Sequence, residues 1–200
     1  MDATTRTARI AVAAMTLLAL AAPAHAQTWK AVFNGTAVAQ TGSPGVGQEY
    51  LTLTGTSLAV NITFSGLTSP STASHVHCCT GMPFVGTAAP ATQVPSFPGF
   101  PLGVTSGTYS QIFDLMLASS YNPAFLAANG GSVDAARAAL VAGLSSSTAY
   151  GNIHTSSFPS GEIGGYFALT TPEPSSALML APGLVTLAGV ARKRRPRPSR

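Results

Sequence analysis

The chain has 200 residues, 46% of them hydrophobic and only 8% charged, with 20 Gly, 15 Pro and 2 Cys; that fits one domain and excludes the low-hydrophobicity, high-charge signature of disorder. The formal charge of +4 lies at the ends: Arg6 and Arg9 open the chain, and Arg192, Lys193, Arg194, Arg195, Arg197 and Arg200 close it. Between residues 27 and 174, Lys30 and Arg137 stand against Glu49, Asp114, Asp134, Glu162 and Glu173, a net of −3, which leaves no basic face and excludes nucleic acid as a partner.

At the N-terminus, Arg6 and Arg9 precede an apolar run from Ile10 to Ala22, then Pro23 and Ala24-His25-Ala26. A basic start, a short apolar stretch and an A-x-A site predict a secretory signal peptide over 1–26, cleaved between Ala26 and Gln27. The mature domain is expected over 27–171. A strand is predicted from Thr28 to Phe33, followed by a loop from Gln40 to Gly47 rich in Gly, Ser and Pro. Leu58, Val60, Ile62 and Phe64 alternate with Ala59, Asn61, Thr63 and Ser65, the period of a half-buried strand. Tyr50 to Thr54 reads as its hairpin partner across Gly55-Thr56-Ser57.

Five prolines between 83 and 107 forbid a long regular element there, so this stretch is a long surface loop. Its Phe97 and Phe100 either form an exposed tip or pack back over the sheet. A strand near Tyr109 to Leu115 follows. Asn122-Pro123 then predicts an N-cap with proline at the first helical position, and Asn129-Gly130 a stop. Ser132 caps a second helix with an apolar stripe of Val133, Ala136, Leu140 and Leu144. The last predicted element is a hairpin pairing Thr148 to Thr155 with Glu162 to Thr170. The expected architecture is mainly β, an antiparallel β-sandwich or barrel with two short helices inserted before the last hairpin.

At the C-terminus, Pro172-Glu173-Pro174 leads into a mostly apolar run from Ala177 to Ala191 and then Arg192-Lys193-Arg194-Arg195. Residues 172–195 resemble the PEP-CTERM sorting signal, leaving 196–200 as a basic cytoplasmic tail. That resemblance implies an exosortase-type processing enzyme as partner, transient membrane anchoring through the apolar run, and delivery to the cell surface or exopolysaccharide matrix. Fifteen residues at about 1.5 Å each reach about 22 Å, short of a roughly 30 Å hydrocarbon core. A span awaiting processing fits that length better than a permanent anchor.

Ser74-His75-Val76-His77 and Gly151-Asn152-Ile153-His154-Thr155, the latter leading through Phe158-Pro159-Ser160-Gly161 to Glu162-Ile163, resemble the CHRD domain, a module named from chordin. The similarity runs in order over residues 29–169 and implies an extracellular β domain that binds or builds rather than catalyses. Where the family usually carries arginine, this chain has Gly164.

Residues two apart on a strand share a face, so His75 and His77 project together, and His154 shares its face with Tyr150 and Asn152. Were the two strands neighbours, three imidazoles would converge, a set sufficient for Zn or Cu with one position open. The alternative is that the rings hydrogen-bond backbone and fix strand register. Cys78 and Cys79, the only cysteines, are open to three readings: a vicinal disulfide, an intermolecular bridge, or thiolate ligands beside the histidines. No phosphate-cradling loop or nucleophile elbow occurs, and turn chemistry accounts for Ser160 near His154. The functional expectations are therefore a non-enzymatic, surface-sorted binding or structural protein with a polysaccharide or protein partner in the envelope, an extracytoplasmic Cu or Zn binder with possible redox activity, or a protein-binding module of chordin-like type.

Overall fold

The computed structural model describes residues 26–170. Residues 1–25 of the predicted signal peptide and the sorting segment with Pro172, Glu173 and Pro174 lie outside the described residues; the expected cleavage point falls between Ala26 and Gln27, the first two described, both exposed. Among the described residues no helix is long and apolar enough to cross a membrane.

The strands are β1 (Gln27–Asn34), β2 (Val46–Thr54), β3 (Ser57–Ser65), β4 (Ser71–His77), β5 (Gly107–Asp114), β6 (Tyr150–Thr155), β7 (Ile163–Tyr166) and β8 (Ala168–Thr170); the helices are α1 (Pro123–Ala128) and α2 (Val133–Ser145). They form one antiparallel sheet in the order β4-β6-β7-β1-β2-β3-β5, with β8 also paired to β1. The sheet curls into an open half-barrel. Alternation decides its faces: Leu58, Val60, Ile62 and Phe64 of β3 are buried beside Trp29, Ala31 and Phe33 of β1 and Leu51 and Leu53 of β2. Each such large apolar side chain contributes roughly 1.5–3 kcal/mol on burial.

The turn between β2 and β3 is tighter than expected. Thr54 pairs with Ser57, leaving Gly55-Thr56 as the turn, with Gly55 at φ 62°, a left-handed conformation that costs glycine nothing. The last hairpin also differs from expectation. β6 pairs with β7 from Tyr150↔Tyr166 to Ile153↔Ile163, but Ala168–Thr170 turn away to pair with Thr28–Lys30 of β1. Phe167, fully buried, marks the point where the chain changes partners.

Both helix caps form as the sequence implies. The Asn122 side chain accepts from the Ala124 N–H with Pro123 at the first position, and the Ser132 side chain accepts from the Ala135 N–H. Helix α2 buries Ala136, Leu140 and Leu144, while Val133 is only partly covered.

The proline-rich loop closes the structure. Along the otherwise free edge of β4, the N–H groups of Ala91, Phe97 and Gly103 donate to the carbonyls of Val76, Ser74 and Ser71 at 2.8–3.0 Å. An irregular segment thus satisfies a strand edge without extending the sheet, the usual remedy for an edge open to aggregation. Phe97 and Phe100 pack inward, 2% and 5% exposed; Phe97 stacks on Tyr109 and Phe113, and Phe100 on Phe64.

One core position breaks the apolar pattern. Glu49, on the inward face of β2 with Leu51 and Leu53, is fully buried, and neither carboxylate oxygen has a hydrogen-bond partner among the described residues. Burial pushes its pKa well above the usual carboxylate range, which favours its protonated, neutral form. Between the ordinary carboxylate pKa and this raised value the unfolded chain ionises and the folded one does not, so stability falls as pH rises through that window. Glu49→Met, which keeps the length and removes the polar head, is expected to gain about 1–3 kcal/mol at pH 8. The gain should shrink toward pH 4. Urea midpoints of both proteins at the two pH values check this, and an unchanged difference would refute the assignment.

Candidate metal centre and its surroundings

β4 and β6 are neighbours, and their register puts Ala73 opposite His154, His75 opposite Asn152 and His77 opposite Tyr150. The side chains of His75, His77, Tyr150, Asn152 and His154 therefore share one face of the sheet, while Ser74, Val76, Gly151 and Ile153 turn to the other. A single nitrogen from each of the three histidine rings lies within 4.8 Å of the other two. His75 Nδ1 and His154 Nε2 are 3.1 Å apart.

The backbone around the site settles the tautomers, because a carbonyl oxygen accepts and never donates. The Pro95 carbonyl takes a hydrogen bond from His75 Nε2 at 2.7 Å, the Ala88 carbonyl from His77 Nδ1 at 2.8 Å, and the Pro159 carbonyl from His154 Nδ1 at 2.7 Å. In a neutral imidazole the opposite nitrogen then carries a lone pair. The three lone-pair nitrogens are His75 Nδ1, His77 Nε2 and His154 Nε2; the first and last face each other at 3.1 Å. Among the described residues neither His77 Nε2 nor Asn152 Oδ1 on the same face makes a hydrogen bond of good geometry, though the Asn152 side chain lies close enough to oppose the lowering of the His77 pKa.

Two of the three carbonyls come from the proline-rich loop and one from the turn between β6 and β7. Pro159 in that turn is what the sequence phrase around His154 already contained. Ala88 and Pro95 carry no signal in the sequence, since any residue supplies a carbonyl and only the path of the loop places it.

The rings are neutral under ordinary conditions. Burial lowers His75 to about 4, with repulsion from His154 adding to it and the Pro95 carbonyl opposing. Burial likewise lowers His77 to about 4 against the pull of the Ala88 carbonyl. His154 is lowered too, by burial, with the Pro159 carbonyl opposing. Tyr150 forms one wall: its ring stacks on His77 at 4.7 Å, and its hydroxyl donates to the Ala88 carbonyl at 3.0 Å.

The cysteines lie elsewhere. Cys78 belongs to the core side of the sheet, and the structure joins it to Cys79 in a vicinal disulfide. Both sulfurs rest on Gly143 of α2, where a Cβ would overlap them. As thiolate ligands Cys78 and Cys79 do not fit: strand alternation turns Cys78 away from His77, and both sulfurs are bonded to each other.

Glu162 answers a different need. Its Oε1 accepts from Ser43 Oγ at 2.6 Å and from the Thr68 N–H and hydroxyl at 2.6 and 3.0 Å, and its Oε2 accepts from Thr155 Oγ1 at 2.7 Å. Burial alone would raise its pKa, but these four bonds outweigh it and hold the carboxylate below the usual range. Glu162 thus ties the loop before β2, the segment before β4 and the end of β6 together under the histidine strand. Two residues on, a Cβ at Gly164 would come within 2.9 Å of the Gly151 carbonyl oxygen, so close strand packing occupies the place of the arginine expected there.

No curated protein and no solved structure matches the chain. The family model that does match, described as the CHRD domain, covers residues 29–167. Both histidine strands, the carbonyl-bearing loop and the Glu162 anchor fall inside that span, and the chain belongs to the CHRD family.

Proposed function

We propose that this CHRD domain is an exported, non-enzymatic binding module of the cell envelope that holds one Cu or Zn ion on His75, His77 and His154. A CHRD domain is an extracellular binding or structural module. The metal reading adds what the module binds. The observation that carries it is the convergence of three lone pairs whose opposite N–H groups are all spent on backbone carbonyls. Two lone pairs 3.1 Å apart repel unless a cation lies between them. Two nitrogens at about 2.0–2.1 Å from one tetrahedral ion sit about 3.3 Å apart, close to the 3.1 Å between His75 and His154, while the His77 nitrogen lies within 4.8 Å of both and would close in on the ion. Carbonyl acceptors on the far nitrogens are also how ligating histidines are oriented and made more basic. Three neutral nitrogens leave a fourth position for water or an external ligand.

The sorting half of the reading rests on the sequence at the two ends. Export by the N-terminal signal places the domain where Cu and Zn are met outside the cytoplasm. The PEP-CTERM-like segment, an exosortase-type enzyme and a passing membrane attachment through residues 177–191 would then deliver it to the cell surface or matrix.

Elemental analysis tests the metal reading directly. The purified protein is expected to hold about one Cu or Zn per chain, and a His75→Ala/His77→Ala/His154→Ala variant that retains its far-ultraviolet β signature is expected to hold none. A folded wild-type protein that stays metal-free after dialysis against micromolar Cu and Zn would leave the rings as sheet architecture.

A further inference from the structure

The outer face beside the histidine site carries apolar side chains that the domain does not cover. Gly81-Met82-Pro83-Phe84-Val85-Gly86 forms a tight tip closed by a Met82↔Val85 bridge, with Met82, Phe84 and Val85 exposed at 62%, 56% and 57%. Phe84 continues into a shallow groove of about 390 Å³ that it shares with Val32, Leu169 and Thr170; Val32 and Leu169 are also exposed, at 58% and 45%. The tip is held out rather than loose. The Phe84 N–H donates to the Ser147 carbonyl at 2.9 Å, the Tyr166 hydroxyl donates to the Gly86 carbonyl at 2.5 Å, and the Phe84 and Tyr166 rings meet edge to face at 6.1 Å. Phe84 itself sits at φ 60°, a left-handed conformation that a bulky residue adopts only where its surroundings impose it, and such strain gathers at functional positions. Three apolar side chains held in water on a strained turn need a partner surface.

We infer that this tip and groove lie on a lipid surface, with Met82, Phe84 and Val85 entering the interface of the membrane to which the C-terminal segment leads. The inference rests on the membrane step of the proposed function. What selects lipid is where the chain leaves the domain. Thr170 lines the groove, and only residues 171–176 separate it from the apolar run that begins at Ala177. Seven steps from Thr170 to Ala177 span at most about 25 Å, so a membrane-inserted Ala177 keeps the groove end of the domain within that distance of the bilayer. Lys30, whose ammonium lies 5.2 Å over the Tyr50 ring, is the one cation among the described residues lining the groove and suits an anionic headgroup, while the exposed acids Asp114 and Asp134 belong to the end of β5 and the start of α2.

The test uses the full chain with Phe84→Trp, mixed with vesicles of phosphatidylethanolamine and phosphatidylglycerol that carry brominated acyl chains. Trp29, the sole native tryptophan, is fully buried and gives a constant background. Ile112→Trp, at a position 68% exposed on β5, is the control. An interfacial ring lies about 5–10 Å into the headgroup and acyl boundary, within reach of bromine, so the emission added at position 84 is expected to fall about twofold while that at 112 does not change. Flotation of the same vesicles reads the attachment separately. Protein that floats with no quenching at 84 overturns the lipid contact and leaves the membrane step standing. Protein that does not float overturns both. A blue shift at 84 without bromine quenching means that the chain's own C-terminal segment or a second copy covers the groove, which also overturns it.

Discussion

Saturating Zn or Cu is expected to raise the unfolding temperature of this protein by roughly 8–16 °C. An ion that binds only the folded state at about a thousandfold excess over its dissociation constant adds about 4 kcal/mol, and each kcal/mol moves a domain of this size by roughly 2–4 °C. The unfolded chain has no equivalent site, because the histidine pair on β4 and the single histidine on β6 are more than seventy residues apart and only strand pairing joins them. His77→Gln should abolish most of the shift. Its Nε2 is the proposed ligand atom and makes no hydrogen bond of good geometry among the described residues, so the substitution removes the proposed donor while keeping a polar group that can reach the Ala88 carbonyl. Protons should compete poorly. With His75 and His77 lowered to about 4 and His154 lowered in the same direction by burial, the metal-induced shift should fall less between pH 7.5 and pH 6 than it would for a site of ordinary histidines. Differential scanning calorimetry with and without metal measures both effects, and an equal shift in wild type and His77→Gln would refute the site.

The second large effect is expected at Glu162. Glu162→Ala leaves the Thr68 N–H and the hydroxyls of Ser43, Thr68 and Thr155 facing an empty space, and bonds to a charged acceptor contribute about 1.5–3 kcal/mol each before non-additivity. A loss on the order of 4 kcal/mol follows, a large share of the stability of a single domain. Glu162→Gln should lose less, because the amide oxygen still accepts from Thr68 and the Thr155 hydroxyl can turn to accept from the amide. The pH dependence separates charge from shape. The folded pKa of Glu162 lies below the unfolded one, so its contribution is complete above the ordinary carboxylate pKa and is lost as pH falls through the folded value. Wild type should therefore lose stability on acidification below about pH 4.5 more steeply than Glu162→Gln. Chemical denaturation of the three proteins at pH 7 and pH 3.5 provides the comparison, and parallel losses in all of them would rule out the charged anchor. Glu49 acts with the opposite sign, since its pKa is raised, and the two carboxylates show how differently one residue type behaves when buried with four donors and with none.

Much of the fold was legible in the chain. Strict alternation from Leu58 to Ser65 dictated β3 and its buried face, because a period of two leaves only one way to cover four large apolar side chains. The Asn122-Pro123 and Ser132 signals dictated both helix starts, since each satisfies backbone N–H groups that a helix leaves unpaired at its beginning. Local chemistry settles such features within a few residues. The pairing of His75 and His77 on one face was also local, being a property of any strand.

Everything that depends on which strand lies beside which came from the tertiary structure. His154 could be aligned with His75 and His77 only once β4 and β6 were neighbours in register, and the lone-pair directions only once the carbonyls of Ala88, Pro95 and Pro159 were in place. The cysteines followed the same rule, because adjacency in sequence offered three fates and the Gly143 notch of α2 accommodates the joined pair. Whether Phe97 and Phe100 would face water or pack back over the sheet was decided only when the loop bonded to the edge of β4. Glu49 was readable in principle as a carboxylate on an apolar face, but whether donors waited for it, as they do for Glu162, was a matter of long-range packing. The sequence by itself determined which elements form and which side chains share a face, through interactions a few residues long. The contacts that make a site were decided by the sheet order, where residues far apart in the chain meet and where burial rather than local propensity sets the charge each group carries.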